Sequence, residues 1–176
     1  MIGRPEAREI DSYYFTYIDQ APGDDPLALM RGQLDEALAT FSGISEEKSL
    51  QRYAAGKWSI RELLNHMADT ERSFAFRAFW FARGFDSPLP SFDQNIAAAA
   101  AEADRLAWAR HVEDFRRVRL ATVSLFEGLA PAAWMRSGTA SGKHFTVRAL
   151  AFLVAGHVAH HLRILNERYR NPSKRS

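Results

Sequence analysis

Residues 146–165 read TVRALAFLVAGHVAHHLRIL, and the reading of this stretch decides the fold. At about 100° per residue, Leu150, Leu153, Val154, Ile164 and Leu165 gather on one face, which is the periodicity of an amphipathic helix. Thr146 stands where a side-chain oxygen can cap the first turn, and Pro172 marks the far limit, so the helix is expected to run to about Tyr169. His161 falls near the centre of the apolar face, His157 lies about 40° to one side within the stripe, and His160 sits about 100° from His161 at the border. Side chains four apart on a helix have Cβ atoms about 5–6 Å apart, so His157 and His161 can turn their imidazoles onto one point. A divalent metal asks for such convergence, with bonds to nitrogen of about 2.0–2.1 Å for zinc. Burying both rings without partners would cost about 1–3 kcal/mol for each unmet nitrogen.

A third ligand has to come from another helix, and His66 is the best supplier. Ser59 followed by Glu62 forms a capping-box pattern, each side chain able to satisfy a free backbone N–H of the first turn. The helix it opens passes Phe81 and ends near Gly84. His66 stands at the flank of the stripe made by Leu63, Met67, Phe74 and Phe81, where it can face a neighbouring helix. Thr70, Ser73 and Arg77 line up on nearly the same side, a polar seam able to line a substrate groove, although an ordinary amphipathic boundary reads the same way. Glu62 and Asp69 lie about 40–60° off His66 on the wheel, poor positions for a general base, and capping already accounts for Glu62. His160 reads as a neighbour of the site or a surface residue. His144, in a glycine-flanked stretch, can reach over the start of the last helix, though loop histidines more commonly face solvent. His111 lies in the arginine-rich part of the third helix.

The remaining chain supplies two more helices. Asp24 and Asp25 before Pro26 make a helix start, and the pattern Leu27, Met30, Leu34, Ala37, Leu38, Phe41 carries the helix to Gly43. Residues 44–58 form a connector, and 84–95, with Gly84, Pro88 and Pro90, a long loop. Periodicity returns near Asp104 and persists to Leu129 through Val112, Phe115, Val118, Thr122 and Phe126, with arginines opposite. The stretch from Pro131 through Gly138 and Gly142 has no clear pattern. Residues 1–23 read as an extended arm able to lay Tyr13, Tyr14, Phe15 and Tyr17 against the body; residues 24–170 read as one domain and 171–176 as a frayed tail. Four amphipathic helices without a comparable strand pattern predict an all-α four-helix bundle, whose cofactor sites are built from side chains between facing helices.

Composition narrows the chemistry. Of 176 residues, 47% are hydrophobic, enough for one compact core. With 23 basic against 21 acidic residues the net charge is +2, which gives no strong field for nucleic acid or anionic membrane despite the basic cluster Arg168, Arg170, Lys174 and Arg175. There is no cysteine, which removes disulfides, thiolate ligands and a protein thiol nucleophile, so any thiol must arrive with a substrate. Neither a signal peptide nor an apolar run near ~20 residues is present, so a cytoplasmic location is expected. A phosphate-cradling glycine loop and a dinucleotide fingerprint are also missing.

Two stretches resemble the DinB and YfiT-like superfamily of small bacterial four-helix proteins. GKWSIRELLNH at residues 56–66, continuing through Asp69, Glu71 and Arg77, is similar to that family's Trp-Ser entry to its second helix with a first ligand histidine. TVRAL at 146–150 leading to GHVAHH at 156–161 is similar to its final helix with paired ligands. Over roughly residues 24–170 the resemblance implies ligands at His66, His157 and His161, a bundle with a non-sequential crossover, and frequent homodimers. The family includes S-transferases that use bacillithiol, isomerases that use mycothiol, and members without an assigned activity.

A three-histidine site leaves a coordination position open for chemistry. The expectation that follows is a divalent transition metal (zinc, nickel or iron) and a low-molecular-weight thiol, with the metal-held thiolate transferred to a small electrophile. If water takes the open position instead, hydrolysis of a small ester or amide is the alternative. A third possibility is a metal-stabilised binding or stress-response protein without turnover, for which Phe79, Trp80, Phe81 and Phe85 offer an aromatic patch, core packing being their commoner use.

Overall fold

A computed structural model describes residues 2–170; the tail at 171–176, with Lys174 and Arg175, lies outside them. The chain is a four-helix bundle. Its long helices are α2 (Pro26–Ser42), α3 (Ile60–Ala82), α5 (Trp108–Glu127) and α6 (Val147–Ile164), with a short α1 (Phe15–Ile18) before them and a short α4 (Gln94–Ala101) between α3 and α5. A wider π-type turn at Leu165–Arg170 extends α6. The starts have the expected chemistry. Asp25 accepts from the N–H groups of Leu27 and Ala28 with Pro26 in the first turn, Ser59 and Glu62 close a reciprocal capping box, and Thr146 accepts from Ala149 N–H.

The main packing contacts run α2 to α5, α5 to α3, α3 to α6 and α6 back to α2. Helices consecutive in sequence, α2 with α3 and α5 with α6, therefore stand on diagonals. Connectors long enough to cross the bundle ends make this possible: residues 43–59 after α2 and 128–146 after α5. The crossover places α3 directly against α6.

The interior divides into two apolar clusters. One gathers Met30, Phe74, Phe81, Val123, Phe126, Leu150 and Leu153; the other gathers Phe41, Leu63, Met67, Phe115, Val158 and Leu162. On each long helix the boundary between them carries polar side chains: Gln33 on α2, Thr70 and Glu71 on α3, Arg119 and Thr122 on α5, and His157 on α6. Arg119 is fully buried. It pairs with Glu71, donating from Nε at 2.9 Å and from Nη2 at 2.8 Å, and a further donor reaches the Met30 carbonyl at 3.1 Å. The expectation that the α5 arginines face away from the core thus fails at Arg119, because Glu71 across the interface neutralises the charge that periodicity alone would send to solvent.

Three other expectations are corrected. Residues 1–23 are not extended throughout: Ser12–Tyr14 form a 3₁₀ turn that leads into α1, and Ile10, Ile18 and Ala21 join the core. Glu9 is buried against Arg148 and accepts from Thr146 Oγ1 at 2.8 Å, which ties this arm to the start of α6. The unpatterned stretch after Pro131 holds a two-stranded antiparallel ribbon, β1 (Ser137–Ala140) and β2 (Lys143–Thr146), turned by Ser141 and Gly142, both at positive φ. The third helix begins at Trp108, not near Asp104, since Ala103–Arg105 form a separate 3₁₀ turn.

Of the aromatic patch at the end of α3, Phe81 is core, Trp80 stacks on Phe85 at 4.2 Å, and Phe79 and Phe85 are exposed. Among the described residues, no helix is long and apolar enough to cross a membrane.

Candidate metal centre

His66 from α3 and His157 and His161 from α6 come together where these helices face each other. Their Nε2 atoms form a triangle with sides of 3.2, 3.2 and 3.0 Å, and all three residues are buried. The apolar stripe explains the placement: each histidine stands within one helical turn of core residues, Leu63 and Met67 for His66 and Val158 and Leu162 for the pair on α6, which must face inward. Surrounding aromatic rings fix the imidazoles. Trp58 packs on His66 with ring centres 4.7 Å apart, while Tyr17 and Phe74 flank His157 at 5.8 and 6.0 Å.

The triangle fits a cation better than it fits hydrogen bonding. An imidazole nitrogen that carries a proton has no in-plane lone pair left to accept one, so three mutual contacts cannot all be N–H···N bonds. A shared ion satisfies all three lone pairs at once. With bonds of about 2.0–2.1 Å, neighbouring ligand nitrogens are about 3.3 Å apart in tetrahedral and about 2.9 Å apart in octahedral coordination, and the observed sides fall between. Burial pushes the His66 imidazole down to about 4, with the charge of His160 adding to the effect. Burial likewise drives His157 and His161 well below the ordinary histidine range, helped by His161 in the first case and by His66 in the second. All three are thereby neutral near pH 7, the form that binds metal. A His66 ring presenting Nε2 carries its proton on Nδ1, and Thr70 Oγ1 lies 3.3 Å away to receive it. Among the described residues, His161 Nδ1 has no hydrogen-bond partner although it is buried.

The other candidates separate clearly. Thr70, Ser73 and Arg77 line a cavity of about 180 Å³ that has His157 in its wall. The arm supplies Tyr13, Tyr14 and Tyr17 to the same cavity, and Phe92, Gln94 and Ser141 complete it. A second opening, about 320 Å³, reaches His161 past Tyr53, Trp58 and Tyr169. His160 is half-buried beside the arm, with Nδ1 3.1 Å from Gln20 Nε2 and its ring 5.0 Å from Tyr17. Glu62 is spent on the Ser59 cap and on Arg52, and Asp69 on Asn65 and Arg72. His144 is exposed opposite Thr139 on the ribbon and lines neither cavity. His111 is buried against the Ala103 carbonyl at 2.8 Å.

Sequence reasoning missed the cavity wall outside α3. The tyrosines were legible only as rings on an arm, and nothing in the local pattern brings Gln94 or Ser141 toward His157. Tyr17 is notable among them. Burial, with the hydrogen bond to Tyr13 at 3.2 Å, raises its phenol well above the ordinary range, so it stays a proton donor.

Known proteins place the architecture. YfiT from Bacillus subtilis, described as a probable metal-dependent hydrolase with an unusual four-helix bundle topology, superposes with a TM-score of 0.71 over 96% of this chain and 93% of its own, at 14% identity. A mycothiol-dependent maleylpyruvate isomerase superposes with a TM-score of 0.66 over 78% of this chain at 15% identity, and this chain spans 58% of its length. At such identities the likeness is one of fold. No protein of curated function matches the sequence. The sequence profile of the DinB superfamily matches residues 29–165, from within α2 through the whole of α6 and its histidine pair, and the chain belongs to that superfamily.

Proposed function

We propose that the protein is a divalent-metal-dependent enzyme in which His66, His157 and His161 hold the ion and a small thiol is transferred to a small electrophile. The observation that carries this reading is the Nε2 triangle, whose His157 corner stands in the wall of a cavity that has no carboxylate in its lining among the described residues. When bound there, a divalent ion supplies the Lewis acidity that keeps a thiol as its thiolate near neutral pH. The thiol proton leaves to solvent, the sulfur lone pair forms a bond to the electrophilic carbon, and the leaving group departs with the electrons of its own bond. Tyr17, protonated and beside His157, donates a hydrogen bond to the departing or developing anion. Phe74 and Leu153 keep the reacting end dry.

Hydrolysis is the competing reading, and the description of YfiT favours it. It calls for a general base beside bound water, whereas Glu62 and Asp69 are held in ion pairs with Arg52 and Arg72. The test begins with metal content by mass spectrometry on tag-free protein, wild type against His161→Ala. About one equivalent in the wild type and little in the variant supports the site; metal in neither, even after reconstitution, removes it. Metal-dependent consumption of a thiol with monochlorobimane then supports transfer, and acid release from an ester without thiol supports hydrolysis instead.

A further inference from the structure

Arg77 is only 5% exposed and lines the same cavity as His157. The other deeply buried arginines each meet a carboxylate, Arg61 with Glu46 and Arg119 with Glu71. Among the described residues Arg77 has no carboxylate partner. Its single side-chain hydrogen bond runs from Nη2 to Ser141 Oγ at 3.0 Å. The guanidinium carbon lies over the Phe74 ring and over the Phe145 ring, 5.9 Å from each centre, contacts that favour a cation at this position. A guanidinium presents five N–H donors in a rigid fork and cannot lose its charge at ordinary pH, so this cation waits for an anion from outside the chain.

We infer that Arg77 is the recognition group for a carboxylate on the small-molecule substrate, which enters with its anionic end on Arg77 and its reacting end toward His157. The proposal deepens the function above by naming the substrate class, and rests on it only for the reaction that follows binding. The charge balance selects a monoanion. Arg77 is the single charged side chain lining the cavity among the described residues, and Lys143 nearby is already paired with Asp11 at 3.0 Å. Hydroxyls of Ser141, Ser73 and the tyrosines supply neutral donors around that one charge. The volume of about 180 Å³ suits a compact acid, since a cavity of about 150 Å³ holds a benzene ring.

The test is calorimetric titration of metal-free protein with benzoate, with its uncharged isostere benzamide and with phenylphosphonate. Benzoate is expected to bind, benzamide to bind about tenfold or more weakly by comparison, and Arg77→Gln to lose benzoate affinity by a similar factor, with Arg77→Lys between. Equal binding of benzoate and benzamide, unchanged affinity in Arg77→Gln, or no benzoate binding to the wild type overturns the assignment; tighter binding of phenylphosphonate overturns the choice of carboxylate. If Arg77→Gln does not fold, the isostere comparison on the wild type and Arg77→Lys decide. Metal content of the Arg77 variants, expected to equal that of the wild type, separates the two readings. Arg77-dependent anion binding without thiol transfer would sink the function alone, and thiol transfer without such binding would sink this inference alone.

Discussion

The backbone of Tyr17 lies directly on Gly156: a Cβ built at Gly156 would stand 2.4 Å from the Tyr17 carbonyl oxygen and 2.7 Å from the Ile18 nitrogen. This approach seats α1 on α6 one residue before His157, and so sets the distance from the Tyr17 ring to that histidine. Gly156→Ala must push α1 outward. The expected cost is about 1–3 kcal/mol in urea unfolding, the range for overpacking, together with faster proteolysis near residues 12–20. Because α3 and α6 keep their own contacts, metal content should hold. A variant as stable and protease-resistant as the wild type would show that the arm is not seated through this contact.

Metal binding should separate the histidines by position. His66→Ala, His157→Ala and His161→Ala are each expected to lose most bound metal, while His144→Ala, exposed on the ribbon, keeps it. Thr70→Val removes the partner of His66 Nδ1 and should weaken metal affinity by about tenfold or more with little change in the circular dichroism spectrum. Equal loss in His144→Ala and His66→Ala would break the assignment.

The buried Glu71–Arg119 pair predicts an asymmetric result. Glu71→Leu strands a buried guanidinium and should destabilise by about 3–5 kcal/mol, whereas combining it with Arg119→Met should cost far less than the sum of the two single changes. Denaturant unfolding of the four proteins of this cycle measures the coupling. Additive effects would mean that the charges do not interact.

Acid should destabilise the metal-free protein early. The cluster histidines are depressed by burial, so below about pH 6.5 the unfolded chain binds protons that the folded chain refuses. Their contribution is complete above that pH and is lost progressively as pH falls, down to about 4 for His66. The slope is up to about 1.4 kcal/mol per pH unit for each histidine. Thermal melting from pH 8 to 4 measures it, and His157→Ala should flatten the profile. A wild-type Tm unchanged between pH 7 and 5 would contradict neutral burial.

The ends of α3 show how much a cap can announce: Ser59→Ala removes one side of the capping box and is expected to cost about 1 kcal/mol, read as a lower urea midpoint.

What the sequence determined by itself was everything governed by local period and local capping. The 3.6-residue repeat of α2, α3, α5 and α6, the oxygen caps at Asp25, Ser59 and Thr146, and the inward face shared by His157 and His161 all act within a few residues of chain. Shorter elements escaped for the same reason. The alanine run of α4 has no apolar stripe to detect, although Asp93 caps it, and α1 spans a single turn. Only the tertiary structure decided that α3 lies against α6, which closes the His66 corner of the triangle, and that Glu71 meets Arg119. It also decided that the arm brings Tyr17 beside His157, and that Arg77 faces the cavity with no carboxylate partner among the described residues. Each of these depends on which helices share a boundary. In this bundle that is set by long crossing connectors and by one backbone contact at Gly156, neither of which leaves a periodic trace in the sequence.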